Sequence, residues 1–82
     1  MKVKVGVIDY SISNLSSVLN AFKYLDIDVV SFNDKNKINE FSHLILPGVG
    51  SFAKGINNLK KLNLIAPIKD CIKKGTPILG IC

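Results

Sequence analysis

The spacing of apolar residues changes period several times along the chain. Val3, Val5 and Val7 alternate with Lys4 and Gly6 before Ile8 leads into Asp9, a period of two that predicts a strand over residues 3–8. From Leu15 the apolar residues Leu15, Val18, Leu19, Phe22 and Leu25 fall on one helical face, and Ser13 or Asn14 is suited to cap the first turn. Residues 27–32 read as a second strand, residues 33–40 as a polar segment with one helical turn, and residues 43–46 as a third strand stopped by Pro47. Beyond Gly48, Gly50 and Ser51, helical spacing returns over residues 52–62 and again over residues 64–74, with Pro67 in the first turn of the later helix. Gly75 follows Lys73 and Lys74, which predicts a left-handed stop with cations at the negative end of that helix. Thr76 and Pro77 then open a fourth strand, residues 78–81, which runs into Cys82.

Strands alternating with helices predict an α/β fold: a parallel sheet with helices on both faces, joined by right-handed crossovers. The 82 residues allow one domain, and they contain no internal repeat or low-complexity linker. With 48% apolar and 21% charged residues the composition is that of a chain that packs a core. Its longest apolar runs, such as residues 78–82, fall far short of the ~20 needed to span a bilayer, and Asp9 interrupts the amino-terminal apolar stretch before it could serve as a signal sequence. No membrane association is expected. The net charge of +5 raises the question of a nucleic-acid partner, but every basic residue is Lys, and they are scattered apart from Lys60-Lys61 and Lys73-Lys74. A solvated surface is the expectation, with no nucleic acid bound. Cys71 and Cys82 have no second pair and only one histidine beside them, so no metal and no disulfide framework is indicated, and a reduced, cytoplasmic setting fits.

Candidate chemistry lies where strands end, because open parallel sheets collect ligands at their carboxyl edge. Three places qualify: Asp9-Tyr10-Ser11-Ile12-Ser13-Asn14, Pro47-Gly48-Val49-Gly50 and Gly80-Ile81-Cys82. A thiol at a strand tip, two residues after a glycine that lets the neighbouring strand and helix approach, resembles the first half of a nucleophile elbow. A helix following it would point its positive end at the thiolate and lower the thiol pKa. The alternative is a cysteine buried as a small hydrophobe. Two glycines around Val49 free the backbone to offer N–H groups to an anion, as an oxyanion hole requires, although a plain turn would use the same residues. Asp9 and Asn14 are equally compatible with capping alone. His43, just before Leu44-Ile45-Leu46, reads as the residue that opens a strand.

Together, in this order and spacing, the three segments resemble the class I glutamine amidotransferases, in which one strand ends in a Pro-Gly-Gly or Pro-Gly-Val-Gly loop and a later one in a Gly-x-Cys elbow. Within that family the chain looks nearest to the glutaminase subunit of imidazole glycerol phosphate synthase. The likeness is carried by Val7-Ile8-Asp9-Tyr10 with Asn14-Leu15 and Ser17-Val18, by Leu46-Pro47-Gly48-Val49-Gly50 with Phe52, and by Leu79-Gly80-Ile81-Cys82. Leu59, Leu64-Ile65 and Gly75-Thr76-Pro77 also match, so the resemblance covers all 82 residues.

The resemblance implies the amino-terminal part of a single amidotransferase domain, flavodoxin-like and truncated after the fourth strand. It implies hydrolysis of glutamine to glutamate and ammonia without a cofactor, and transfer of the ammonia to a (β/α)₈ cyclase in histidine biosynthesis, the two subunits forming a heterodimer. Cys82 is implied as the nucleophile of a Cys-His-Glu triad whose His and Glu lie downstream. Gly48, Val49 and Gly50 are implied in holding glutamine and the oxyanion, and Asn14 in the partner interface. Two features depart from the family pattern. Ser11 and Ser13 stand where glycines are usual, a change tolerated in a branch that amidates sugars for surface polysaccharides, and the sequence stops at Cys82, ahead of the family's catalytic His and Glu, His43 not being that histidine. The 82 residues alone are therefore expected to be inactive. A non-catalytic flavodoxin-like binding module and a different cysteine hydrolase of the same fold are the competing readings.

Overall fold

The computed structural model describes residues 2–11, 15–48 and 51–81. Among these, strands β1 (Val5–Ile8), β2 (Val29–Phe32), β3 (His43–Pro47) and β4 (Ile78–Ile81) alternate with helices α1 (Leu15–Tyr24), α2 (Phe52–Lys61) and α3 (Ile65–Lys74). A 3₁₀ helix, Lys35–Glu40, occupies the polar segment before β3. The four strands are parallel and lie in the order β2-β1-β3-β4. The α/β architecture with a parallel sheet expected from the sequence is what these residues form.

Side-chain alternation along the strands divides the core in two. Val5, Val7, Val29, Ile45 and Ile81 pack with Leu15, Val18, Leu19 and Phe22 of α1 on one face. Ile8, Phe32, Leu44, Leu46 and Ile78 face the other way, against Ile38, Leu59, Leu64, Ile65, Ile68 and Cys71. Helices thus cover both faces. Leu64 and Ile8 are fully buried, each contributing about 1.5–3 kcal/mol through removal from water. Cys71 is also a core residue, which accounts for the second thiol of the sequence as packing.

Phe41 lies flat across the middle of β1, stacked on Phe32 with ring centroids 4.7 Å apart. Gly6 permits this, since a β carbon there would fall 2.5 Å from the Phe41 ring.

The three α-helices α1, α2 and α3 stop the same way. Past α1, the amide of Asp26 donates to Lys23 O (3.0 Å) and that of Ile27 to Phe22 O (2.9 Å); past α2, Asn63 donates to Lys60 O and Leu64 to Leu59 O, both 3.0 Å. Past α3, Gly75 donates to Ile72 O and Thr76 to Cys71 O, again both 3.0 Å. These are the paired bonds of a Schellman motif, and Asp26, Asn63 and Gly75 occupy its left-handed position with φ of 63°, 56° and 88°. The motif explains two shifts from the sequence reading. Leu25 falls in the turn rather than the helix, and Ile27 gives its amide to α1, so β2 starts at Val29 instead of residue 27. At the amino end, β1 starts at Val5, and Val3 is exposed.

Pro47 does not stop β3 as expected; it is paired with Ile81 of β4. The amides of Leu44 and Gly48 point to β4, donating to Pro77 O and Ile81 O, whereas that of His43 points towards β1, donating to Lys4 O. By alternation a donor at position 47 would address β1. Proline therefore ends only the β1–β3 ladder, whose last pair is Val7 with Ile45, and leaves the β3–β4 ladder intact.

Candidate active site

Parallel strands put all their carboxyl ends on one edge, and the order β2-β1-β3-β4 places a switch between β1 and β3, because the chain moves outward from β1 to β2 and then the other way from β3 to β4. The crevice outside such a switch point is where ligands of open α/β sheets bind. Asp9, Tyr10 and Ser11 leave β1 at this point, Gly48 leaves β3, and Ile81 closes β4 beside it.

The loop after β1 is held from several directions. The amide of Asp9 donates to Phe32 O (2.8 Å), continuing the β1–β2 ladder by one bond. Its carboxylate accepts from the Ser11 amide (3.3 Å), and Asn58 of α2 reaches Ser11 O at 3.5 Å. Ser11 itself has φ of 65°. That left-handed conformation suits glycine, which explains why a serine here is a departure and how it is accommodated: the Asp9 side chain braces the strained turn. Tyr10 is buried, and its hydroxyl donates to the carbonyl oxygen of Pro47.

On the β3 side, the Gly48 amide donates to the carbonyl oxygen of Ile81. Ser51 begins α2, its hydroxyl accepting from the Lys54 amide at 3.3 Å. Of the residues singled out from the sequence, Gly48 is at the switch point, half-buried. Cys82, Val49, Gly50, Asn14 and Ser13 lie outside the described residues. Their immediate neighbours Ile81 and Gly48 are hydrogen-bonded to each other, so the Cys82 and Val49 positions are each one residue from a shared contact. A β carbon at Gly80 would meet nothing within 4 Å, so the close approach expected there is not made by any described residue.

His43 sits at the opposite end of β3 from Gly48, roughly 16 Å away along the strand. Its Nδ1 is 2.8 Å from the Ser42 hydroxyl. It opens the strand and takes no place in the crevice. Among the described residues, no group of three His, Cys, Asp or Glu side chains could hold a metal, and no helix is long and apolar enough to cross a membrane. Tyr10 and Ile81 lay within the segments singled out from the sequence, but no role was assigned there to the Tyr10 hydroxyl or the Ile81 carbonyl, and Asn58 was not singled out at all.

Comparison with known proteins gives a consistent picture. Residues 6–82 match the family model described as glutamine amidotransferase class-I. Subunit HisH of imidazole glycerol phosphate synthase from Prochlorococcus marinus (strain MIT 9211) is 45% identical over 82 residues, covering 100% of this chain and 39% of the relative. The subunit of the same name from Lactococcus lactis subsp. lactis (strain IL1403) is 49% identical over 79 residues, 96% of this chain and 39% of the relative. That from Caldanaerobacter subterraneus subsp. tengcongensis is 46% identical over 78 residues, 95% of this chain and 38% of the relative. The chain thus spans about two fifths of the length of these curated relatives.

Proposed function

Since the chain belongs to the class-I glutamine amidotransferase family, we propose that it forms the amino-terminal part of a glutaminase subunit that supplies ammonia to a synthase partner for imidazole glycerol phosphate. The observation that carries this reading is the meeting of Tyr10, Pro47, Gly48 and Ile81 at one switch point, one residue from Val49 and one from Cys82. The names of relatives 44–49% identical to it support the choice of acceptor pathway, histidine biosynthesis. The partner is a (β/α)₈ cyclase, Asn14 takes part in its recognition, and the heterodimer works in the cytoplasm.

In this reading the Cys82 thiolate attacks the side-chain amide carbon of glutamine. The carbonyl oxygen becomes an oxyanion, held by backbone N–H groups of Val49, Gly50 and the residue after Cys82. A histidine takes the thiol proton and returns it to the departing ammonia, and water then cleaves the thioester to glutamate. His43 is at the wrong edge for this role, so the base and its orienting glutamate come from the rest of the full-length chain.

The test uses the full-length protein with its partner. Cys82→Ser should abolish product formation from glutamine while leaving synthesis from ammonium salts intact. Equal loss with both nitrogen sources would make Cys82 a structural residue. A folded wild-type protein that releases no ammonia from glutamine would favour a binding module instead.

A further inference from the structure

We propose that Tyr10 is a positioning residue for the oxyanion loop: its hydroxyl locks the Pro47–Gly48 peptide plane from which Val49 and Gly50 continue. The inference rests on the amidotransferase reading above.

That one peptide plane is held on both sides. Its carbonyl oxygen accepts from the Tyr10 hydroxyl, and its N–H donates to the carbonyl of Ile81, the residue before Cys82. The two bonds tie together the ends of β1, β3 and β4, the three strands that bear the proposed chemistry. The need for the tyrosine follows from the proline. In a parallel ladder the N–H and C=O of one residue address the same neighbouring strand, and at position 47 that neighbour is β1. The proline nitrogen has no hydrogen to give, and the carbonyl lies beyond Val7–Ile45, the last β1–β3 pair. No ladder partner reaches it, and Tyr10, two residues past the end of β1, supplies a donor in place of one.

Tyr10 can hold this bond firmly because its ring is packed in the core cluster with Ile8, Phe32, Leu59 and Leu64 and is only 4% exposed. An oxyanion hole works by having its donors aimed before charge develops. Freeing the 47–48 plane releases the segment that carries the Val49 amide, two bonds in the chain beyond Gly48 Cα, and so loosens its aim at the oxyanion without removing the donor.

The experiment compares wild type and Tyr10→Phe in the full-length protein with its synthase partner; the substitution keeps the ring and deletes the hydroxyl. The expected result is a fall of about 10-fold in kcat for glutamine hydrolysis, the scale of a slightly misplaced group, with KM changed by less than about twofold and ammonium-dependent synthesis unchanged. Inhibition by glutamate γ-semialdehyde, whose thiohemiacetal oxygen occupies the oxyanion position, should weaken by the same factor as kcat. A tyrosine that only stabilises the fold would instead lower the thermal midpoint and leave kcat per folded enzyme and the inhibition constant as in wild type. That outcome, in a wild-type enzyme that does hydrolyse glutamine, overturns the positioning role and leaves the amidotransferase reading standing. A folded wild type that releases no ammonia overturns both.

Discussion

Gly6 shows how much a single missing side chain can decide. Phe41 rests against β1 only because position 6 has no β carbon, and the same ring stacks on Phe32. Gly6→Ala should therefore destabilise the full-length protein by about 1–3 kcal/mol, the range for overpacking a close-packed core, as read from the shift of its urea midpoint. In the sequence Gly6 is merely the polar half of an alternation, since the ring it accommodates lies 35 residues further on. The site divides in the same way. Gly48 and its neighbours could be singled out because loop chemistry is written in local residue types, glycine and proline above all. What holds that loop was not legible, because the Tyr10–Pro47 bond joins residues 37 apart and an exposed tyrosine would look identical in the chain.

At the scale of elements, periodicity was enough to find the three α-helices among the described residues, and the helix ends were the harder part. Gly75 announced its left-handed stop, because glycine enters that region without steric cost. Asp26 and Asn63 adopt it too, yet Asp and Asn are common throughout polar segments, so nothing marked them before the paired hydrogen bonds were seen. Asn63 lies between α2 and α3, and its turn delivers the fully buried Leu64 into the core. Asn63→Val should lower stability by about 1–2 kcal/mol, because a β-branched residue is disfavoured at positive φ, whereas Asn63→Gly should be close to neutral. Equilibrium unfolding of the two variants beside wild type checks this, and equal losses would rule out backbone conformation as the cause. Pro47 teaches the complementary lesson. A proline was read as ending a strand, but a central strand has two ladders, and which of them loses a bond depends on a register that only the folded sheet supplies.

For the molecule as a whole, alternating strands and helices made the parallel sheet legible, and the carboxyl-edge rule then gathered the candidate segments along one edge. The position of the switch between β1 and β3 came from the strand order, which no local pattern encodes. This geometry also fixes what the 82 residues can do alone. Their single histidine is at the amino end of β3, the opposite end of that strand from Gly48, so the segment brings no histidine base to the crevice. Residues 1–82 expressed without the rest of a full-length chain should release no ammonia from glutamine above buffer, even with the synthase partner present; measurable turnover would show that the crevice contains a base of its own. The central place of β1 has one more consequence, for the order of events during synthesis. Ile8 precedes His43 by 35 residues, so at about 5–20 residues per second β1 waits roughly 2–7 s for its inner partner. Until then β2 is the only strand it can pair with, and the crevice has one wall. β1 is thus flanked on both sides only once His43–Pro47 has been made, and until then its valines have one neighbouring strand to shelter them.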